Sequence, residues 1–227
     1  MTQQEIETGN PYIAAFKENG LELMKLISKI TQDIELSLPE GHSVSRFIEA
    51  VQSALINDPK LMRCSSDSFY DAVIDAADLG LEPNTSCKQG YLIADYDGET
   101  DTYECRFQIG CNGLIDLAHR QGLQSCQAHI VYENDTFTCE YGMAPRLRHI
   151  PTLSDRGKPV AVYAVWQAHQ SSGFKMMSAG EVSKQMPQYT KKFEGADLQI
   201  GWKEMTKNMV IVEALKDFKK LGTGFSG

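Results

Sequence analysis

The stretch FQIGCNGLIDLAHRQG, from Phe107 to Gly122, decides how this chain is read. It passes from strand-like alternation to helix-like spacing through a turn with two glycines, Gly110 and Gly113. Just upstream, YLIADYDGETDTYECRFQI reads as a hairpin turning at Asp97-Gly98. In its second strand Tyr103, Cys105, Phe107 and Ile109 share one face, while Glu104, Arg106 and Gln108 share the other. GLIDLAHRQG then predicts a short helix closed by Gly122. Glycines allow a sharp turn and the close approach of another group. A helix N-terminus offers unpaired N–H groups, which suit an anion. The turn therefore holds a nucleotide, a nucleic-acid backbone, or nothing.

Working outward, the amino-terminal third reads as helical. NPYIAAFKENGLELMKLISKI starts at an Asn-Pro signal and keeps helical spacing, interrupted near Gly20. SVSRFIEAVQSALIND starts at a Ser cap and puts Phe47, Val51, Ala54 and Leu55 on one face. SSDSFYDAVIDAADLG does the same with Phe69, Val73, Ala76 and Ala77 and stops at Gly80. Beyond Gly122, CQAHIVYEND and TFTCEYG predict a second hairpin around Asn134-Asp135. KPVAVYAVWQAH and GFKMMS predict a third around Ser171-Ser172-Gly173, and DRGKP reads as an exposed loop. From Ala179 the helical period returns, ending in the long WKEMTKNMVIVEALKDFKKL. The expected fold is α+β. It has a helical N-terminal part over 1–83 and, over 84–227, a core of antiparallel hairpins, a short helix and a long C-terminal helix, all in one structural domain.

Composition excludes several chemistries. There is no G-x-x-x-x-G-K-[ST], so a P-loop ATPase is excluded; no motif calls for a cofactor, and a role for a divalent cation is left open. The six cysteines include no C-x-x-C pair, which argues for reduced thiols and against a zinc cluster. Cys111, with His119 or His129 as base, is the one candidate for a cysteine-dependent enzyme, but no family signature surrounds it. Asp95, Asp97, Glu99 and Asp101 have the wrong glycine spacing for a calcium loop and read as a charged hairpin tip. No histidine pair has metal-ligand spacing on a helix, so no metal site is expected; His42, His129, His149 and His169 read as ordinary polar residues. No apolar run reaches membrane-spanning length and the start lacks a leader pattern, so a cytoplasmic protein is expected.

Charge is distributed unevenly. The net charge is −8. Residues 1–83 carry 14 acidic and 6 basic side chains, and residues 84–227 carry 16 of each. The later part gathers Lys184, Lys191, Lys192, Lys203, Lys207, Lys216, Lys219 and Lys220, a stripe that suits a polyanion or, more plainly, a solvated face. Around the glycine turn, Lys88, Arg106, Gln108, Asn112 and Arg120 make up a polar, partly basic shelf fit to follow a phosphate backbone. A solvated sheet face beside a tight turn accounts for the same residues equally well.

At this point the motifs carry a resemblance. NDPKLMRCSSDSFYDAVIDAADLGLEPN, GYLIADY, FQIGCNGLIDLAHRQG, VYENDTFTCEYG, KPVAVYAV and WKEMTKNMVI occur in the order found in the RecT family of phage single-strand annealing recombinases, which the chain resembles over roughly residues 55–215. The closing GFSG is similar to the end of the annealing core in the related phage lambda Beta protein. The resemblance implies an α+β core similar to that of Rad52. It implies a protein that binds single-stranded DNA and pairs it with a complementary strand, without nucleotide hydrolysis and without acting as an enzyme. It further implies a homo-oligomeric ring or helical filament with a basic groove, oligomer contacts through the N-terminal part, a partner exonuclease, and a phage or prophage origin in a bacterial host. Matching positions assign DNA contacts to Lys88, Arg106, Gln108, Asn112, Arg120, Lys203, Lys207, Asn208 and Lys216, with backbone approach at Gly110 and Gly113. Tyr91 and Trp202 are candidates for stacking, though core or interface roles fit them better. Asn112 stands where relatives often carry a basic residue, and Val212 and Glu213 replace basic residues further along.

Overall fold

The computed structural model describes residues 11–98, 102–169, 171–190 and 198–222. They form two compact units, Met1–Leu114 and Ile115–Gly227. The packing boundary falls beyond the 83/84 division that the change of period predicts, because the first hairpin shares a core with the helices.

The first unit contains α1 (Pro11–Lys29), α2 (Thr31–Ser37), α3 (Val44–Asn57), a 3₁₀ turn (Leu61–Arg63) and α4 (Ser66–Asp78), followed by β1 (Gly90–Asp97) and β2 (Thr102–Ile109). The caps are where the sequence put them. Ser43 Oγ accepts the Arg46 N–H at 3.3 Å and Ser65 Oγ accepts the Ser68 N–H at 3.2 Å. Each satisfies a backbone donor that the first helical turn leaves open. Phe47, Val51, Leu55, Phe69 and Val73 are buried together with Leu23, Ile27 and Ile34, and Leu92 and Cys105 of the hairpin complete the same cluster. The break expected at Gly20 is absent, and α1 runs straight through it. The glycine is there for room: a Cβ would come within 3.0 Å of the Met62 sulfur. One residue earlier, the Asn19 amide donates to the carbonyls of Met62 and Cys64, tying α1 to the 3₁₀ turn.

β1 and β2 pair from Gly90↔Ile109 to Asp97↔Thr102. Leu92, Ala94, Cys105 and Phe107 pack on the helices, and Arg106 and Gln108 face outward opposite Ile93 and Tyr91. The tip at 99–101 lies outside the described residues. The glycine turn then opens α5 (Cys111–Arg120). Its close neighbour is the chain's own loop. Gly110 N–H donates to the Gln89 carbonyl at 2.8 Å, and the Asn112 side-chain amide donates to the Cys87 carbonyl at 2.8 Å. A Cβ at Gly110 would stand 2.3 Å from the Lys88 carbonyl oxygen, and one at Gly113 would stand 2.0 Å from that of Gln89. Only glycine fits at either place.

The second unit is built on a three-stranded antiparallel sheet in the order β3 (Leu123–Tyr132), β6 (Pro159–Ala168), β7 (Ser172–Ser178). The helices α6 (Ala179–Thr190) and α7 (Leu198–Gly222) follow. The third expected hairpin is present as β6–β7. The second is not. β3 pairs with β6, from Leu123↔Ala168 to Tyr132↔Pro159, and β4 (Thr136–Glu140) pairs instead with β5 (Arg146–Ile150) as a separate ribbon. The Asn134-Asp135 signal does make a turn, with Asp135 N–H donating to the Tyr132 carbonyl at 3.1 Å. The chain leaves the sheet there because β3 is completed by a strand that arrives after the ribbon. On β6, Val162, Ala164 and Trp166 alternate with Tyr163, and the Trp166 ring meets Phe218 of α7 edge-on at 5.4 Å. Met209, Val210, Ala214 and Leu215 bury the remainder of the inner face of α7. Among the described residues no helix is long and apolar enough to cross a membrane.

Gly113→Ala tests the loop–turn contact. A methyl group against a backbone oxygen forces the loop or the helix to move, and a loss of about 2–4 kcal/mol is expected. Chemical denaturation of the variant beside Gly201→Ala, whose Cβ position is open and whose backbone is helical, reads the difference.

Candidate nucleic-acid interface

Where the ribbon leaves the sheet, the chain buries a carboxylate. The Asp135 side chain has no solvent exposure. Its Oδ1 accepts the Thr152 N–H at 2.9 Å and the Arg156 Nε–H at 3.0 Å. Its Oδ2 accepts the Tyr132 N–H at 3.0 Å, the His149 Nε2–H at 3.0 Å and a terminal N–H of Arg156. The forked contact with Arg156 holds the carboxyl far below the usual carboxylate range, with His149 and the two backbone amides adding to it against the opposing effect of burial. DRGKP, read from sequence as a plain exposed loop, thus contributes its arginine to the interior, and only a third of that side chain remains accessible.

The network continues outward. With Nε2 of His149 donating to Asp135, its Nδ1 accepts the Tyr163 O–H at 3.1 Å. Burial pushes the Tyr163 hydroxyl up, which keeps it a donor. Phe137 of the ribbon stacks on the Tyr163 ring with centroids 5.7 Å apart. His129, opposite Tyr163 in the β3–β6 register, lies 5.4 Å from it ring to ring. Burial, His149 and Lys207 all push the His129 pKa down, which favours the neutral imidazole. Arg156 also covers the Tyr132 ring at 4.2 Å.

Together these groups line an open cleft of about 390 Å³ with His129, His149, Arg156, Tyr163, Lys203 and Lys207 around it. Lys203 and Lys207 are one helical turn apart on α7, at a spacing that puts both on one face. Lys207 has Glu204 at 3.5 Å, a loose surface pair. Among the described residues no carboxylate lines the cleft. Arg156, Lys203 and Lys207 border it, a lining whose sign suits an anion.

The family model described as the RecT family matches residues 45–222. The chain belongs to the RecT family. Protein RecT of Escherichia coli (strain K12) is 26% identical over 212 residues, covering 92% of this chain and 78% of that protein. Single-stranded DNA binding and annealing in recombination come with the family, as the motifs implied.

The residues that the RecT resemblance assigned to DNA fall in both units. In the first, Lys88 is exposed on the loop that packs against the glycine turn, and its backbone adopts a left-handed φ of 54°. Arg106 and Gln108 are exposed on β2, with Arg106 3.3 Å from Asp95. The same arginine borders a groove shared with Asp67, Asp71, Asp75 and Glu104, an acidic setting. Asn112 spends its amide on Cys87. In the second unit, Arg120 pairs with Asp116 and Lys216 with Glu213 at 2.6 Å, while Asn208 is exposed on α7. Only Lys203 and Lys207 reach the cleft. Trp202 is half-buried, and Lys191 and Lys192 lie outside the described residues. His119 bonds to the Leu123 carbonyl at 2.7 Å and His129 packs on Tyr163, so each base candidate for Cys111 has its own partner. Sequence reasoning missed Asp135, His149, Arg156 and Tyr163. The one local signal was the alternation in RLRHI, which marks β5 and turns Leu147 and His149 away from the exposed Arg146 and Arg148.

Asp135→Asn removes the charge that Arg156 and His149 are built around. A drop in Tm on the order of 10 °C is expected, because an uncompensated arginine is left behind. In the parent protein the folded pKa lies below the unfolded one. The contact's stability is therefore complete above the ordinary carboxylate range and fades as pH falls toward the folded value. Thermal scans from pH 7 down to pH 3 should show the gap between parent and variant narrowing only at the acid end.

Proposed function

We propose that this protein holds single-stranded DNA in the cleft of its second unit and anneals it to a complementary strand without nucleotide hydrolysis. The observation that carries the reading is the convergence of Lys203, Lys207 and Arg156 on one carboxylate-free cleft, in a chain whose net charge is −8. Phosphate contacts of this kind carry no sequence preference, which an annealing protein requires. Base pairing with the second strand supplies both specificity and driving force, so the reading needs neither a nucleotide cofactor nor a metal ion.

Lys88, Arg106, Gln108, Arg120, Asn208 and Lys216 are proposed as further contacts along the strand, weaker where an acidic neighbour already shares the charge. Gly110 and Gly113 shape the loop that carries Lys88 rather than meeting the strand themselves. A few phosphate contacts per subunit bind weakly. Linking subunits in a ring or filament multiplies them along one strand, and a homo-oligomer is therefore part of the proposal. A partner exonuclease that exposes the strand belongs to the same reading.

Replacing Lys203 and Lys207 together with glutamine tests the cleft. Each phosphate contact contributes about −0.7 to the slope of log K against log salt, so the double variant should flatten that slope by roughly 1.4. ATP-free annealing of complementary oligonucleotides should slow in parallel. An unchanged slope with unchanged annealing would remove the cleft from the site.

A further inference from the structure

The β4–β5 ribbon has two faces. Along β5 the exposure alternates: Leu147 and His149 are half-buried, whereas Arg146, Arg148 and Ile150 are exposed. The inward face rests on the sheet, with Phe137 packed against Tyr163, and His149 on that face lines the cleft. The outward face sets Arg148 opposite Thr138 and Arg146 opposite Glu140, both exposed as well. The chain has seven arginines. Arg46, Arg106, Arg120 and Arg156 each meet a carboxylate, and Arg63 lies over the Tyr103 ring. Among the described residues no ion pair engages Arg146 or Arg148, and none closes between Arg146 and Glu140. Two residues two positions apart on a strand stand about 7 Å apart on one face. That step is comparable with the one between neighbouring phosphates of a single strand, and each guanidinium can take a phosphate with two N–H groups.

We propose that Arg146 and Arg148, on the outward face of the ribbon, dock the incoming complementary strand by its phosphates, while the cleft behind the ribbon holds the first strand. The proposal rests on the reading of the cleft given above. Two DNA strands repel each other, so annealing must bring a second polyanion up to one already bound. The first strand neutralises Lys203 and Lys207. The arginines outside stay unneutralised and keep a positive surface for the second. The two faces of a ribbon one layer thick lie on the order of 10 Å apart, about one Debye length at 0.1 M salt. Capture on the outer face raises the local concentration of the second strand beside the first. Contacts to phosphate leave its bases free to pair. An acidic protein segment would suit the same charge, but the spacing of the two arginines along one line favours a phosphate chain.

Arg146→Gln combined with Arg148→Gln should leave Tm and the binding of a first labelled oligonucleotide as in the parent, since neither side chain borders the cleft. Annealing of a complementary oligonucleotide to protein already saturated with the first should slow by roughly tenfold at low salt. The slope of log rate against log salt should flatten by up to about 1.4, two contacts at about 0.7 each. Loss of first-strand binding in the Lys203→Gln, Lys207→Gln variant is the separate readout of the cleft. The ribbon proposal is overturned if the arginine variant loses first-strand binding together with annealing, which would put the arginines in the first site. It is equally overturned if that variant anneals at the parent rate, the result expected if the arginines serve an acidic protein. The parent gives a second measurement that needs no variant. Saturated with the first strand, it should retain a labelled non-complementary oligonucleotide at low salt and release it as salt rises; no retention overturns the proposal.

Discussion

A single buried carboxylate organises the second unit. Asp135 accepts five hydrogen bonds from four residues on two sides of the ribbon's exit: Tyr132 just before it, and His149, Thr152 and Arg156 as the chain returns. An isolated buried charge would cost far more than a domain can spare, so the surrounding donors are a requirement of the fold. Satisfying them fixes three things together: where β3 ends, how the ribbon leaves, and where Arg156 stands. The charge of Arg156 is largely matched by Asp135. Lys203 and Lys207 of α7, the latter only loosely paired with Glu204, set the sign of the cleft.

That arrangement separates structural from ligand-facing polarity. Asp135 is inaccessible, and its hydrogen bonds pass through His149 to the hydroxyl of Tyr163, a residue that lines the cleft. The groove of the first unit has the opposite character. Asp67, Asp71 and Asp75 follow one another at one-turn spacing along α4 and give that surface its negative sign. The −8 of the whole chain therefore says little about the charge of any one face.

The glycine turn illustrates how one signal admits more than one partner. Close approach at Gly110 and Gly113 is real, to within 2.3 and 2.0 Å of where a Cβ would stand. The approaching group is the Lys88-Gln89 backbone, a partner more than twenty residues upstream. Nothing in the turn's own residues distinguishes a loop carbonyl from a phosphate oxygen, since both satisfy the same N–H groups.

Local physics was enough for much of the rest. The period of the apolar residues, the caps at Ser43 and Ser65 and the stop at Gly80 defined helices α3 and α4, because those forces act within a few residues. The same holds for the β1–β2 and β6–β7 hairpins, whose partners are adjacent in the chain. The order of motifs fixed the family, which depends only on residue identity. Tertiary structure alone paired β3 with β6, gave β4 to β5, and brought Arg156 and His149 to Asp135. Those choices are settled by burial and by charge neutralisation between groups 14 to 21 positions apart. At such separations the sequence names the candidates, and the energy of the assembled core selects among them.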